Sequence, residues 1–344
     1  MRKLLRVLLV CTVVCLGFTP AHAKWFGKDD KVIIGFSLPT QQEERWVRDA
    51  AEMEKAAKAE KDVELKVQIS NNDAAKQLAQ CENLLAQGIT VLIVAPQDAS
   101  SAATIVEKAH KQNVPVIAYD RLIMNCDVDL YTSFDNVKVG ELQGSFITKL
   151  VPKGNYILLG GAPTDNNARL FRAGAMKYIQ PLIDKGDIHV VMDQWVKDWQ
   201  PTEAMKLVEN ALTGAHNNVQ AILAPNDGTA SGCIRALAAQ GLAGKVPVTG
   251  QDAELAAAQR IVAGTQSMTV FKDTRALARE TFKIAVAMAN GATPDAVATQ
   301  VVNNNKIDVP SVLLTPVIVT KDNIDEVLVE SGYLKRADVY KYAK

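Results

Sequence analysis

Hydrogen-bonding side chains recur just beyond short apolar runs along this chain. Arg45-Trp46 follows Val32–Phe36, Asp120-Arg121 follows Val114–Ala118, and Asp165-Asn166-Asn167 follows Tyr156–Leu159. Asn226-Asp227 follows Ala221–Leu223, Asp252 follows Val246–Thr249, and Lys272 follows Met268–Phe271, while Trp195 and Trp199 flank a loop after Val190–Met192. Carboxylates and amides exchange hydrogen bonds with vicinal hydroxyls, Arg and Lys donate to hydroxyl and ring oxygens, and indole faces pack on apolar C–H surface. Together these groups suit a small polyhydroxylated ligand. Each also has an ordinary reading. Asp120 and Asp252 suit N-caps of the helices that follow, Asn166 and Asn226 suit loops, Arg45 suits a solvated helix face, and Trp46 and Trp199 suit a core. What they share is position, because ligands of open α/β sheets bind beyond the carboxyl ends of the strands.

The elements that must position these groups read as βα units. Strands are expected at Val32–Phe36, Glu64–Ile69, Val91–Val94, Val114–Ala118 and Leu130–Phe134, with helices at Trp46–Ala59, Ala75–Gln87 and Ala102–Gln112. The grammar then restarts with strands at Tyr156–Leu159, Val190–Met192, Ala221–Leu223, Val246–Thr249 and Met268–Phe271, and helices near Ala168–Asp184, Pro201–Leu212, Ala230–Gln240 and Leu255–Ala263. This alternation predicts an α/β protein of two similar lobes, each a doubly wound parallel sheet, joined by a hinge. No Pro-, Ser- or Gly-rich tract separates the halves, so the crossings are short. A last helix, Ala276–Asn290, returns to the first lobe and Val312–Val319 to the second. The expected division is 31–134 plus 273–311 for the N-terminal lobe and 135–272 plus 312–344 for the C-terminal lobe.

Residues 1–23 read as a signal peptide. Arg2, Lys3 and Arg6 attend an apolar run, Leu4–Phe18, without acidic residues, and Ala21-His22-Ala23 offers a cleavage site after Ala23. Export to the periplasm with Lys24 as the new N-terminus follows. A retained anchor is the alternative, although the run falls short of the ~20 residues that span a bilayer. Val10 and Val14 precede Cys11 and Cys15, which argues against lipid attachment. The full chain balances 38 basic against 38 acidic side chains, and removing the three basic leader residues leaves an acidic excess of three, which disfavours nucleic acid as a partner. Cys81, Cys126 and Cys233 allow at most one bridge, and His110, His189 and His216 lie far apart, so neither a disulfide framework, a metal site nor a cofactor is expected.

Several runs carry a family resemblance. Tyr119-Asp120-Arg121, Phe134-Asp135-Asn136 with Val139–Gln143, Asp165-Asn166-Asn167-Ala168 with Leu170-Phe171-Arg172, Gln194-Trp195 with Trp199, and Gly250-Gln251-Asp252-Ala253 together resemble the periplasmic D-xylose-binding proteins of bacterial ABC transporters. These belong to the ribose/galactose-binding type of periplasmic receptor. The resemblance covers essentially the whole chain after the leader, in order. It implies that Arg45, Asp120 and Arg121 hold a sugar from the first lobe, that Asp165, Asn167, Asn226 and Asp252 hold it from the second, that Lys272 sits at a crossing, and that Trp46 and Trp199 cover the two ring faces. It further implies a soluble monomer that delivers its monosaccharide to an ABC permease, with a chemoreceptor as a further candidate partner. Two departures stand out. Pro39-Thr40-Gln41-Gln42 replaces an Asp-Asp pair associated with the xylose group, and Cys81 and Cys126 are unexpected. Ribose or glucose as ligand remains open.

Two other classes compete. A carbohydrate-active enzyme would use paired carboxylates such as Asp120 and Asp165, but the adjacent arginines favour ionised carboxylates. A sugar-responsive repressor would need a helix-turn-helix where only Lys24–Lys31 stand.

Overall fold

Runs of β-branched and aliphatic residues build the first sheet in a computed structural model that describes residues 31–343. The expected leader and its cleavage site lie outside the described residues. Strands β1 (Val32–Leu38), β2 (Val63–Ile69), β3 (Val91–Val94), β4 (Val116–Tyr119) and β5 (Leu130–Phe134) are parallel neighbours in the order β5-β4-β3-β1-β2. β3, β4 and β5 are buried end to end, as a parallel sheet covered on both faces requires. Helices α1 (Glu44–Ala59), α2 (Ala74–Ala86) and α3 (Ala103–His110) connect them close to the expected bounds.

The chain then crosses into α4 (Asn136–Leu150), a helix absent from the sequence reading. Gly140 and Gly144 weaken its intrinsic propensity, and both serve contact with α5 (Asn166–Asp184). A Cβ on Gly140 would stand 2.0 Å from Phe171 O, one on Gly144 2.5 Å from Ala175 O, and one on Gly174 2.1 Å from Val137 O. The two helices therefore meet backbone to backbone.

The second lobe is less regular than expected. β6 (Gly154–Gly160), β7 (Ile188–Trp195) and β8 (Ala221–Leu223) form a parallel sheet in the order β7-β6-β8, with α6 (Pro201–Gly214), α7 (Asp227–Ala239) and α8 (Leu255–Val262) around it. β7 is an edge strand that runs on to Trp195, so Trp195 belongs to the strand and does not flank a loop. Val246–Thr249 forms a single bridge, Ile222 to Val248. On its other side the Val248 N–H donates to the Ser267 hydroxyl (3.3 Å) instead of a backbone carbonyl, which interrupts the ladder. The expected last parallel strand is β9 (Thr269–Phe271), which pairs antiparallel in a separate two-stranded sheet.

α9 (Thr274–Ala289) returns to the first lobe, where Leu277, Phe282 and Ile284 share a core with Ile34, Trp46 and Ile117. Two strands follow, β10 (Gln300–Asn303), which the sequence reading lacks, and β11 (Asp308–Leu314), which it covers only from Val312, and they complete the order β10-β11-β5-β4-β3-β1-β2. β11 pairs parallel to β5 through Leu314, opposite Phe134. A boundary after residue 311 would cut this strand, and Val312–Val319 is two segments: Val312–Leu314 in the first sheet, and β12 (Val317–Val319) paired with β9. Pro316 stands between them, without an N–H to continue a ladder. Cys81, Cys126 and Cys233 are buried free thiols. Among the described residues no helix is long and apolar enough to cross a membrane.

Candidate ligand-binding site

All ten residues that the resemblance assigns to a sugar line one cleft at the carboxyl ends of the strands, with about 290 Å³ of space between them, open solvent included, whereas Asn166, Trp195 and Asp227 do not line it. Both lobes supply its walls. Arg45 and Trp46 stand on the first turns of α1, Asp120 and Arg121 follow β4, and Lys272 follows β9. Asp165 and Asn167 open α5, Trp199 closes the tight turn Lys197–Trp199 before α6, Asn226 precedes α7, and Asp252 lies between Val248 and α8.

Charge is paired across the cavity. Arg45 Nη1 lies 2.5 Å from Asp120 Oδ1 and 3.9 Å from Asp252 Oδ1, and Arg45 Nε lies 3.1 Å from Asp49 Oδ2. Lys272 Nζ sits between Asp252 Oδ1 (3.2 Å) and Asp120 Oδ1 (3.6 Å), and Arg121 Nε reaches Asp165 Oδ2 at 2.8 Å. Burial would raise the Asp120 pKa, but Arg45, Lys272 and Arg121 outweigh it and hold the carboxyl below the usual carboxylate range. At Asp165 the balance reverses. Burial pushes its carboxyl up and Asp120 adds to the rise, more than Arg121 opposes it, so the neighbouring arginine does not dominate there as expected.

The backbone is over-determined where it matters. Asp120 adopts φ 58°, and its carbonyl accepts from Tyr131 OH (2.9 Å), Ser133 Oγ (2.6 Å) and Asn167 Nδ2 (2.8 Å). Trp199 (φ 57°) and Asp252 (φ 95°) also sit in the left-handed region. For a residue as bulky as Trp this is a genuine outlier, and such positions, costing about 1–3 kcal/mol, cluster at ligand sites.

Neither Asp120 nor Asp252 caps a helix. That task falls to Asp165, which accepts from the Asn167 N–H (2.9 Å), and to Asn226, whose Oδ1 accepts from the Thr229 N–H (2.9 Å) in a capping box. With its oxygen committed, Asn226 has its amide NH₂ left for a ligand. Asn167 is a strut between lobes: it donates to Asp120 O and accepts from Asn136 Nδ2 (3.0 Å). Trp46 is both core and cavity wall, with the Arg45 and Arg121 guanidiniums 4.4 and 5.1 Å from its ring centre. Trp199 packs edge-on to Phe171 at 6.4 Å. At the rim, Gln42 of the divergent Pro39–Gln42 segment accepts from Gln200 Nε2 (3.0 Å) across the cleft.

Three lining residues were passed over: Glu43, Phe171 and Gln251. Phe171 and Gln251 lay inside motifs already noted, and placement after a strand would have found Gln251. Glu43 reads as an ordinary acid at a helix start.

The fold has known counterparts. Residues 34–293 match the periplasmic binding protein domain. The chain belongs to the periplasmic binding protein family. Within curated relatives of this family, it is 44% identical to the D-xylose-binding periplasmic protein of Escherichia coli strain K12, over 97% of this chain and 98% of that one. It is 39% identical to a multiple sugar-binding periplasmic receptor of Rhizobium radiobacter, over 89% and 92% of the two chains. Among solved family structures, a carbohydrate transporter solute binding protein from Chloroflexus aurantiacus in complex with D-glucose superposes with a TM-score of 0.84 at 36% identity, covering 90% of this chain and 98% of that one.

Proposed function

We propose that this chain is an exported receptor that captures one monosaccharide, D-xylose, between its lobes and delivers it to the membrane permease of an ABC importer. The observation that carries this reading is a convergence of buried polar atoms without protein partners. Arg45 Nη2, Trp46 Nε1 and Trp199 Nε1 are donors of this kind, and Glu43 Oε2 and Gln251 Oε1 are acceptors, all on residues lining the cavity. Each such group costs about 1–3 kcal/mol when left unmade, and a ring of hydroxyls, each able to donate and accept, satisfies a mixed set. D-xylose is chosen over other sugars on the strength of the D-xylose-binding relatives. D-glucose is the second reading, favoured by the glucose-bound neighbour. No acid–base chemistry is needed, so incubation with sugar should leave it unchanged.

The lobes in this reading exchange between Phe134 and Asp135, near Lys272, and between Leu314 and Val317, and the leader is removed after Ala23. Titration calorimetry against D-xylose, D-glucose and D-ribose tests the ligand. D-xylose is expected to bind tightest, and a protein that binds none of the three is not this receptor.

Aromatic stacking gives a second test. A Cβ on Gly161 would stand 2.0 Å from Trp199 Cη2, so only glycine admits the indole in its present pose. Gly161→Ala is expected to weaken D-xylose binding about as much as Trp199→Ala, roughly ten-fold each. The double variant should lose no more than either single one, and additive losses would show that Gly161 does not act through Trp199.

A further inference from the structure

We propose that the Glu43 carboxyl is a sugar-contacting group that reads one ligand hydroxyl and sets the preference among epimers and deoxy forms at that carbon; the inference rests on the monosaccharide reading above. Glu43 occupies the N-cap position of α1 with φ −83° and ψ 133°, yet its side chain makes no capping bond. It lines the cavity instead, 6% exposed, with Oε2 accepting from nothing. Its neighbour Glu44 behaves as a helix-start acid should, pairing with Arg48 and accepting from the Leu255 N–H at 3.2 Å. The cations that face Glu43 are engaged elsewhere, Arg121 by Asp165 and Arg45 by Asp120 and Asp49.

A carboxyl so placed has neither a capping role nor an ion pair to account for its burial. Burial raises its pKa, Arg121 and Arg45 oppose the rise, and Asp252 adds to it. In the protonated form the group offers one O–H donor and one carbonyl acceptor side by side, a match for a hydroxyl that must do both. Sites that hydrogen-bond a substrate hydroxyl discriminate strongly against analogues lacking it, because the protein group is then left unpaired.

The test is calorimetry of wild type, Glu43→Leu and Glu43→Gln with D-xylose and with its monodeoxy analogues. Leu keeps the approximate size and removes the polar group, so Glu43→Leu should bind D-xylose about ten-fold more weakly, one hydrogen bond's worth. Gln, which keeps a donor and an acceptor, should restore affinity to within a few-fold. For one deoxy sugar, the one lacking the hydroxyl that Glu43 reads, wild type and Glu43→Leu should bind alike. Comparison within each variant across the sugars cancels any general loss of stability. Unchanged D-xylose affinity in Glu43→Leu, or an equal loss for every deoxy sugar, would overturn the proposal. Wild type that binds no monosaccharide would instead overturn the receptor reading on which it rests.

Discussion

Arg45→Ala is expected to abolish D-xylose binding at ordinary titration concentrations and to destabilise the fold by about 3–5 kcal/mol, the usual cost of breaking a buried ion pair from one side. Arg45 is 4% exposed and joins Asp49, Asp120 and Asp252. Without it, Asp49 and Asp120 face each other with less compensation, and the sugar loses the unpartnered Nη2 donor. The loss should depend on pH. Burial already raises Asp49 from 3.8 to about 6 against the pull of Arg45. A carboxyl raised in the folded state stabilises fully below its unfolded pKa and loses that contribution as pH climbs through the folded one. Removing Arg45 moves the folded value further up, so the deficit in denaturant melts should be smaller at about pH 5 than at about pH 8. A deficit independent of pH would mean that Asp49 is not the group left exposed to the change.

Asp165→Ala is expected to weaken D-xylose binding on the order of 100-fold, beyond the cost to the second lobe of about 1 kcal/mol for the lost N-cap of α5. Arg121 follows β4 of the first sheet and Asp165 opens α5 of the second lobe, and their 2.8 Å contact is buried. Truncating one partner of such a pair costs about 2–5 kcal/mol, much of it the penalty of the stranded charge. That penalty falls on the closed form, together with the other contacts made across the cleft, Ala99 N–H to Thr164 O (2.9 Å) and Gln200 to Gln42. A ligand shifts an open–closed equilibrium only through its greater affinity for one form. X-ray scattering should therefore show a smaller radius of gyration for wild type with D-xylose, and less compaction for Asp165→Ala at the same sugar concentration. Tight binding by wild type with an unchanged scattering profile would refute closure.

What could be read without coordinates followed from local chemistry. Strand-length apolar runs identified β1 to β5, most plainly β3, β4 and β5, which are buried on both faces, and polar residues just after the strands found the cavity. The failures have equally local causes. α4 was hidden because Gly140 and Gly144, which look like helix breakers, are spent on contact with α5. β10 is an exposed edge strand with little apolar signal, and β11 was merged with β12 because Pro316 was not read as a break. Glu43 was passed over because a glutamate before an amphipathic helix has an ordinary explanation, which its missing capping bond removes.

The bare contact of α4 with α5 has a mechanical consequence. α4 leaves the first sheet at Asp135, whose N–H donates to Leu314 O at 3.0 Å, so two crossings of the chain are tied side by side at one pivot. From there α4 bears on α5 at Gly140, Gly144 and Gly174, where no side chain separates the two backbones. The pair acts as a stiff lever. In the receptor reading, a turn of a few degrees at the pivot would pass with little loss to the first turn of α5, where Asp165 and Asn167 stand, so three missing methyl groups set the gearing between hinge and sugar site.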